Sequence, residues 1–157
     1  MIAVRIRKAN VDDAQAVFEL HDRTVREVCG RDYTPDEVEA WLRKQSVATY
    51  RERIAEGDMY VAEAGDGRLL GFAARAGERI KTLYVAADHQ GEGVGSALLG
   101  RLEADALAEG FREVSARSTV TAVGFYRRQG YEIEEQADCP VTDERPLAAF
   151  AVRKRLT

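Results

Sequence analysis

The chain has 157 residues, a length that favours one domain, so we expect a single domain over residues 1–157. Hydrophobic residues make up 45% and charged residues 32%, which is ordinary for a folded domain. The net charge of −4 argues against a nucleic-acid binder, which carries a basic excess to neutralise phosphates. The apolar runs are too short for a signal peptide or a membrane span, and we expect a cytoplasmic protein.

The first third of the chain predicts one strand followed by helices. Residues 2–6 alternate between apolar and polar types, as a half-buried strand does. A helix capped by Asn10 or Asp12 is expected to run to about residue 28, where Cys29 and Gly30 follow. Thr34, Pro35 and Glu37 have the order of a cap, a first helical residue and a capping-box acid, which starts a second helix to residue 42. A third helix is expected over residues 47–55.

The middle of the chain changes to strand patterns. Residues 58–64 and 68–76 are apolar runs joined by Gly-Asp-Gly, a composition typical of a hairpin turn. Residues 79–85 are rich in β-branched and aromatic types and are expected to form the third strand of an antiparallel meander.

The second half alternates helix and strand. A helix from about residue 94 carries Val94, Leu98, Leu102 and Ala106 on one stripe, and Gly110 ends it. Further along, we expect a strand over 113–117, a helix over 119–129 capped by Thr119, a strand over 131–137, a polar loop over 138–146 and a strand over 147–156. The expected fold class is therefore α/β: a mixed, mostly antiparallel sheet of six to seven strands flanked by helices.

A glycine-rich segment lies between the third meander strand and the long helix. Gly91, Gly93 and Gly95 remove side chains where a backbone must come close to something. The amides at the start of the helix then make an anion site suited to a phosphate or diphosphate. A Walker-A loop is excluded because no lysine follows, and Leu98 stands where the dinucleotide fingerprint needs its third glycine. A glycine-rich turn without a ligand remains an alternative at this point.

Two motifs around this segment carry a resemblance. Residues 90–95, QGEGVG, resemble the Q/R-x-x-G-x-G/A signature of the GNAT acetyltransferase superfamily. Residues 119–131, TVTAVGFYRRQGY, resemble its second signature, N-x-x-A-x-x-F-Y-x-x-x-G-F/Y, with Thr119 in place of the usual Asn. The resemblance implies the GNAT fold and covers residues 58–137 well. It also implies acetyl-CoA as co-substrate and direct transfer to an amine of a small molecule or peptide, in a possible homodimer.

The resemblance assigns most of the expected site residues. Tyr126 would be the general acid that protonates the departing CoA thiolate. The main chain of the third meander strand would pair with the pantetheine arm, and the glycine segment would hold the diphosphate. The expected cofactor-binding residues are Leu83, Tyr84, Val85, His89, Gln90, Gly91, Glu92, Gly93, Val94, Gly95, Ser96, Thr119, Phe125 and Arg128.

Elementary chemistry supports the role of Tyr126. A tyrosine with a pKa of about 10 carries its proton at neutral pH and can give it to a thiolate. The alternative is a buried core aromatic. Arg128 has two interpretations as well: a solvated helix face, or a contact with the CoA phosphates. A threonine at position 119 can cap a helix but cannot fill both hydrogen-bonding roles of an amide.

The sequence says less about the acceptor. A carboxylate or an ordered water serves as base for such an amine, and Glu78 is the first candidate for this catalytic role, with an exposed turn charge as the alternative. His21 is a weaker candidate. Tyr33 and Trp41 are expected to line the substrate pocket, although helix packing competes for Trp41.

The two cysteines, Cys29 and Cys139, match no zinc-ligand spacing, so we expect reduced thiols and no metal site. The main alternative to an enzyme is a non-catalytic module that binds acyl-CoA as a sensor or assembly partner. An interaction protein without CoA is a third.

Overall fold

The computed structural model describes residues 3–140 and 146–157. One sheet of seven strands runs through this part of the chain, in the spatial order β1-β2-β3-β4-β5-β7-β6. Only β4 and β5 pair in parallel; the other neighbouring strands are antiparallel. The strands are β1 (Val4–Lys8), β2 (Met59–Ala64), β3 (Leu69–Ala76), β4 (Arg79–Val85), β5 (Glu113–Thr119), β6 (Glu132–Pro140) and β7 (Pro146–Arg155).

The helices begin at the caps that the sequence indicates. Asn10 and Asp13 form one capping box, at the start of a short 3-10 turn, and Thr34 and Glu37 form another. Such side chains accept bonds from amides that have no partner inside the helix. The α-helices are α1 (Ala14–Glu27), α2 (Pro35–Arg43), α3 (Val47–Ala55), α4 (Val94–Ala108) and α5 (Val123–Arg128), with 3-10 turns at Val11–Asp13, Cys29–Arg31 and Ala87–His89.

The two faces of the sheet bury different helices. On β3, Phe72 and Ala74 point towards α1 and α3, whereas Ala73 points to the side of α4. Gly71 also faces α4, and a Cβ there would stand 2.8 Å from the carbonyl oxygen of Tyr84. Alternation along a strand places successive side chains on opposite faces, so this central strand contributes to both cores. The mixed α/β fold with a sheet of six to seven strands is confirmed.

Two boundaries differ from the sequence prediction. Thr119 is the last residue of β5 and does not start a helix; its Oγ1 accepts a bond from the amide of Ala122 at 3.1 Å, and α5 begins only at Val123. The expected loop over residues 138–146 is also wrong at both ends, because residues 138–140 pair with residues 146–148 as the strands β6 and β7. Pairing across a sheet overrode the two prolines that suggested a loop. Residues 141–145, the centre of that loop, lie outside the described residues.

Two absences hold for the described residues. None of their helices is long and apolar enough to span a membrane. Residues 3–140 and 146–157 also contain no group of three or more potential metal ligands. Cys29 is a free, buried thiol, while the side chain of Cys139 lies outside the described part of the chain.

Candidate functional site

The site begins where two parallel strands separate. β4 and β5 pair at only two positions, Arg79 with Ser115 and Ile80 with Ala116. Both strands continue past this point, and residues 81–85 and 117–119 line a cavity of about 530 Å³ between them. Because β5 turns away, β4 presents main-chain groups to the cavity along this edge. Backbone groups that leave a sheet need another partner, so a ligand with amide groups can take the place of the missing strand.

One side of the cavity is formed by the glycine segment and α5. We call this surface the loop wall; its lining residues are His89, Gln90, Gly91, Gly93, Gly95, Ser96, Ala122, Gly124, Phe125, Tyr126, Arg128 and Gln129. Gly91, Gly93 and Gly95 have no side chains, so they leave the backbone at the edge of this wall uncovered. A cavity of several hundred Å³ is the usual size for a small-molecule site.

Backbone conformation explains the glycines in the loop wall. Gly91 has φ of 78° and Gly93 has φ of 89°, the left-handed region that side chains with a Cβ rarely adopt. Gly93 is the N-terminal cap of α4, so the free amides of the first helical turn open at the cavity. Gly95 serves packing instead, since a Cβ there would stand 3.1 Å from the ring of Phe125. The arrangement suits a diphosphate at the start of α4.

Side chains in the same loop hold its shape. The amide nitrogen Nε2 of Gln90 donates to the carbonyl oxygen of Val85 at 2.7 Å, which fastens the loop to the end of β4. The Nδ1 atom of His89 lies 2.6 Å from Oε2 of Glu92. At the start of α4, Nε2 of Gln129 donates to Oγ of Ser96 at 2.9 Å and joins α5 to the loop.

Tyr126 is the aromatic hydroxyl of the loop wall. The residue is 5% exposed, and its ring packs edge-on against Phe125 and Tyr131. Burial raises the pKa of its phenol, because the charged phenolate is poorly solvated there. Among the described residues the hydroxyl has no hydrogen-bond partner. It therefore keeps its proton at neutral pH and can direct it to a bound molecule.

The opposite side of the cavity is formed by the end of α1 and the turn after it. We call this surface the helix wall; it consists of Thr24, Val28 and Cys29. Oγ1 of Thr24 is buried and has no hydrogen-bond partner. Burial raises the pKa of the Cys29 thiol to about 11, which keeps it protonated and unreactive.

The helix wall is fastened to the segment between β5 and α5. Oγ1 of Thr121, which also lines the cavity, donates to Oδ2 of Asp32 at 2.7 Å. The hydroxyl of Tyr33 accepts a bond from the amide of Val120 at 2.9 Å. These contacts join residues far apart in sequence and hold the turn after α1 against the segment that follows β5.

The structure brings together most of the expected cofactor residues. Tyr126 lies with them in the loop wall, and Arg128 projects from the same helix. Glu92 and Val94 are outside the lining: Glu92 is turned to His89, and the Val94 side chain is buried in the core. The residues that do line the cavity are Leu83, Tyr84, Val85, His89, Gln90, Gly91, Gly93, Gly95, Ser96, Thr119, Phe125 and Arg128.

The expected acceptor-side residues lie elsewhere. Glu78 is in the exposed turn between β3 and β4, outside the cavity lining. Tyr33 and Trp41 are buried side by side in a small core, with ring centroids 5.5 Å apart, and do not line the cavity either. His21 is packed among aromatic rings, with Nδ1 2.8 Å from the hydroxyl of Tyr50. Burial first of all lowers the pKa of His21 to about 4.

Sequence reasoning missed several lining residues. Lys81 lines the cavity where the pairing of β3 with β4 shifts register, a bulge that no sequence pattern marked. Thr24 and Val28 lie near one face of the first predicted helix, a spacing that indicates core packing and gives no signal for a site. The remaining members are visible only in three dimensions: Cys29, Ile80, Thr82, Arg117, Ser118, Thr121, Ala122, Gly124 and Gln129.

Comparison with known proteins identifies the family. The acetyltransferase (GNAT) domain family matches residues 29–139. This chain belongs to the GNAT acetyltransferase family. Like the named N-acetyltransferases among its relatives, it is an acyltransferase.

The individual relatives are distant. The chain is 26% identical over 133 residues to an uncharacterized N-acetyltransferase, YafP, of Escherichia coli, covering 85% of this chain and 84% of that protein. It is 23% identical over 135 residues to the peptidyl-lysine N-acetyltransferase YjaB of Salmonella typhimurium, covering 86% and 88%.

Solved structures share the whole GNAT fold. A GCN5-related N-acetyltransferase from Rhodopseudomonas palustris superposes with a TM-score of 0.92 at 24% identity, covering 99% of this chain and 98% of that one. The PaiA N-acetyltransferase of Thermoplasma acidophilum, solved in complex with coenzyme A, superposes with a TM-score of 0.79 at 22% identity, covering 98% and 99%.

Proposed function

We propose that this GNAT protein transfers an acetyl group from acetyl-CoA directly to an amine, with Tyr126 as the general acid. The observation that carries the proposal is the shape of the cavity. It runs from an anion-binding helix start, along an uncovered strand edge, to a buried tyrosine hydroxyl that has no hydrogen-bond partner among the described residues. Each of these parts suits a different portion of acetyl-CoA.

The residues fit the cofactor from end to end. Amides of Gly91, Gly93 and the first turn of α4 would hold the diphosphate, where the helix dipole favours negative charge. Arg128 adds a positive charge to the same wall. The amide groups of the pantetheine arm would pair with the main chain of residues 83–85, as an added strand does.

Tyr126 then acts on the thiol end. When an amine attacks the thioester carbonyl, a C–N bond forms and the C–S bond breaks, so a thiolate leaves. The Tyr126 hydroxyl donates its proton to that thiolate; the nitrogen gives up its proton to an ordered water and so to solvent, and the tyrosinate regains a proton from solvent. Burial raises the pKa of the phenol, and the same water-poor surroundings disfavour a free thiolate, so the two groups remain matched.

The described residues define the general base less clearly than the general acid. Glu78, the first candidate from the sequence, stays a prediction; it lies in the exposed β3–β4 turn and is not among the lining residues. Among the described residues, the cavity lining contains no Asp or Glu. An ordered water is therefore the base that this geometry favours, with the proton passing to solvent.

Two measurements test the proposal. Acetyl-CoA should raise the melting temperature, because a ligand of the native state stabilises it by mass action. The protein should then release free CoA from acetyl-CoA in the presence of a panel of small amines and lysine peptides, with acetylated product found by mass spectrometry. Tight acetyl-CoA binding without any acetylated product would favour a binding module instead. Light scattering on the same sample tests the expected homodimer.

A further inference from the structure

The helix wall contains an unsatisfied polar group. Thr24 is 3% exposed and lines the cavity, yet its Oγ1 has no partner in the protein. A buried hydroxyl without a hydrogen bond carries a desolvation cost that native proteins rarely accept. Threonine in a helix divides between two χ1 rotamers, so rotation exchanges its methyl group and its hydroxyl. A ligand in the cavity is the partner that this hydroxyl lacks.

A second hydroxyl in the same lining belongs to Thr121, whose side chain contacts Cys29 of the helix wall. Its proton is already committed, since Oγ1 donates to Oδ2 of Asp32 at 2.7 Å. A hydroxyl has one donor and two acceptor lone pairs, so Thr121 offers only lone pairs to a ligand. Asp32 is thus a positioning residue: it acts on the ligand through the orientation of Thr121.

The helix wall around Thr24 is uncharged. Val28 follows Thr24 by one helical turn, with its amide donating to the Thr24 carbonyl oxygen at 2.8 Å. Cys29 stays a neutral thiol because burial raises its pKa to about 11. Thr121 therefore favours a ligand that donates a hydrogen bond, while the unpartnered hydroxyl of Thr24 can accept one.

The strand side of the cavity carries cations. Lys81 lines the cavity at the bulge in β4, and its Nζ lies 3.8 Å from Oε2 of Glu56 on the solvent side. Arg117 lines the cavity from β5. Positive charges near a bound ammonium favour loss of its proton, which is the form that attacks a thioester.

We propose that Thr24 and the Asp32-bound Thr121 form the acceptor subsite, in which both hydroxyls accept hydrogen bonds from the nitrogen of a primary amine. This inference rests on the proposed acetyl transfer and names the site of its second substrate. A primary amine has enough N–H groups to bond both oxygens at once.

The first experiment compares hydroxyl-deleting and hydroxyl-keeping variants. Thr24→Val and Thr121→Val should each raise KM for the amine at least 10-fold and leave KM for acetyl-CoA within 2-fold. Thr24→Ser and Thr121→Ser should restore the amine KM to within about 3-fold of the original protein. Ser115→Ala removes a hydroxyl from β5 outside the cavity lining and should change neither constant.

The probes separate the sources of the amine. Cadaverine represents a free small amine, and Nα-acetyl-lysine amide represents a peptide lysine. The proposal expects turnover with at least one of these two amines. Amine turnover that both valine variants leave unchanged would overturn the subsite while the acetyltransferase activity stood.

A second measurement follows the unsubstituted protein and uses variants only to assign signals. In the CoA-bound protein with labelled threonine methyl groups, cadaverine and the lysine amide are titrated in turn. The Thr24 and Thr121 signals, assigned with the serine variants, should shift with either amine, and that of Thr49 on α3 should not. Unmoved signals at saturating amine would contradict the subsite, whatever the folding of the valine variants. Tight acetyl-CoA binding with no amine acetylated would instead reject the proposed function.

Discussion

The loop wall and the helix wall face each other across one cavity but are built in different ways. The loop wall comes from two continuous segments, and its shape follows from glycine conformations and a helix start. The helix wall acquires its position from contacts between residues distant in sequence, such as Tyr33 with Val120 and Asp32 with Thr121. A surface made of backbone suits a cofactor that is the same in every turnover. A surface made of side chains is where an acceptor preference can be set.

The largest effect is expected when a side chain is added to the glycine segment of the loop wall. Gly93→Val puts a β-branched residue at φ of 89° and fills the space before the first turn of α4. We expect affinity for CoA to fall at least 100-fold, measured by isothermal titration calorimetry. Gly100→Ala is the control: it lies on the exposed side of α4 with nothing within 4 Å of an added Cβ, and it should bind CoA normally. Normal CoA affinity in Gly93→Val would remove the glycine segment from the cofactor site.

Removing the Tyr126 hydroxyl tests the chemistry of the loop wall. Tyr126→Phe keeps the buried ring but removes the proposed general acid, so kcat should fall about 100-fold with CoA affinity nearly unchanged. The matched control is Tyr131→Phe, whose hydroxyl donates to Glu103 at 2.7 Å, away from the cavity lining. That control should lose stability but keep its kcat. If Tyr126→Phe retains full kcat in steady-state assays, Tyr126 is only a core aromatic.

The packing of α1 on the helix-wall side of the sheet should contribute less to stability in acid. Burial lowers the folded-state pKa of His21 to about 4, whereas an unfolded histidine titrates near 6.5. The unfolded chain therefore binds a proton first as pH falls, so this contribution is complete above about pH 6.5 and is lost towards pH 4. At pH 4.5 the loss amounts to about 2–3 kcal/mol of unfolding free energy.

Urea denaturation at pH 7 and pH 4.5 measures this loss. His21→Gln has no imidazole to protonate, so its stability should fall less between the two pH values than that of the original protein. The difference between the two proteins isolates His21 from carboxylates such as Asp13, whose pKa is lowered chiefly by a hydrogen bond from Arg7. Parallel pH dependences would mean that His21 is not buried as a neutral side chain.

The smallest expected effect has the opposite sign. Thr24→Val removes an unpaired buried hydroxyl at nearly constant volume, so it should stabilise the protein by about 1 kcal/mol. Thr24→Ser keeps the hydroxyl and is the matched control. Thermal denaturation in the absence of ligand provides the measurement. A destabilised valine variant would show that the hydroxyl has a partner in the free protein.

Much of the loop wall was predictable because its physics is local. Gly91 and Gly93 have positive φ in the turn that precedes α4. Thr34 caps its helix by accepting a hydrogen bond from the amide three positions later. These features act over a few residues, so a sequence pattern records them. The second signature likewise placed Tyr126 on a helix facing the same loop, although α5 begins four residues later than its predicted cap at Thr119.

Predictions about the acceptor side rested on residue type without a local geometric constraint. Trp41 and Tyr33 are aromatic residues near the site in sequence, but packing against Val38 and Cys29 buried them in a core of their own. Glu78 precedes the correct strand, yet the strand carries it into the turn at the far end from the glycine segment. An aromatic or acidic residue can occupy many environments, and only the packing of the helices on the sheet decides which one it occupies.

The sequence by itself determined the turn conformation of the glycine segment, the strand and helix around it and the place of Tyr126 on the next helix. Each follows from backbone conformation or periodicity within about a dozen residues. The tertiary structure alone decided where β4 and β5 separate, and that Thr24 and Thr121 face one cavity. Thr121 and Asp32 are 89 residues apart, and Tyr33 and Val120 are 87 apart. Contacts over such separations arise from the packing of α1 against the sheet, which no short sequence pattern records.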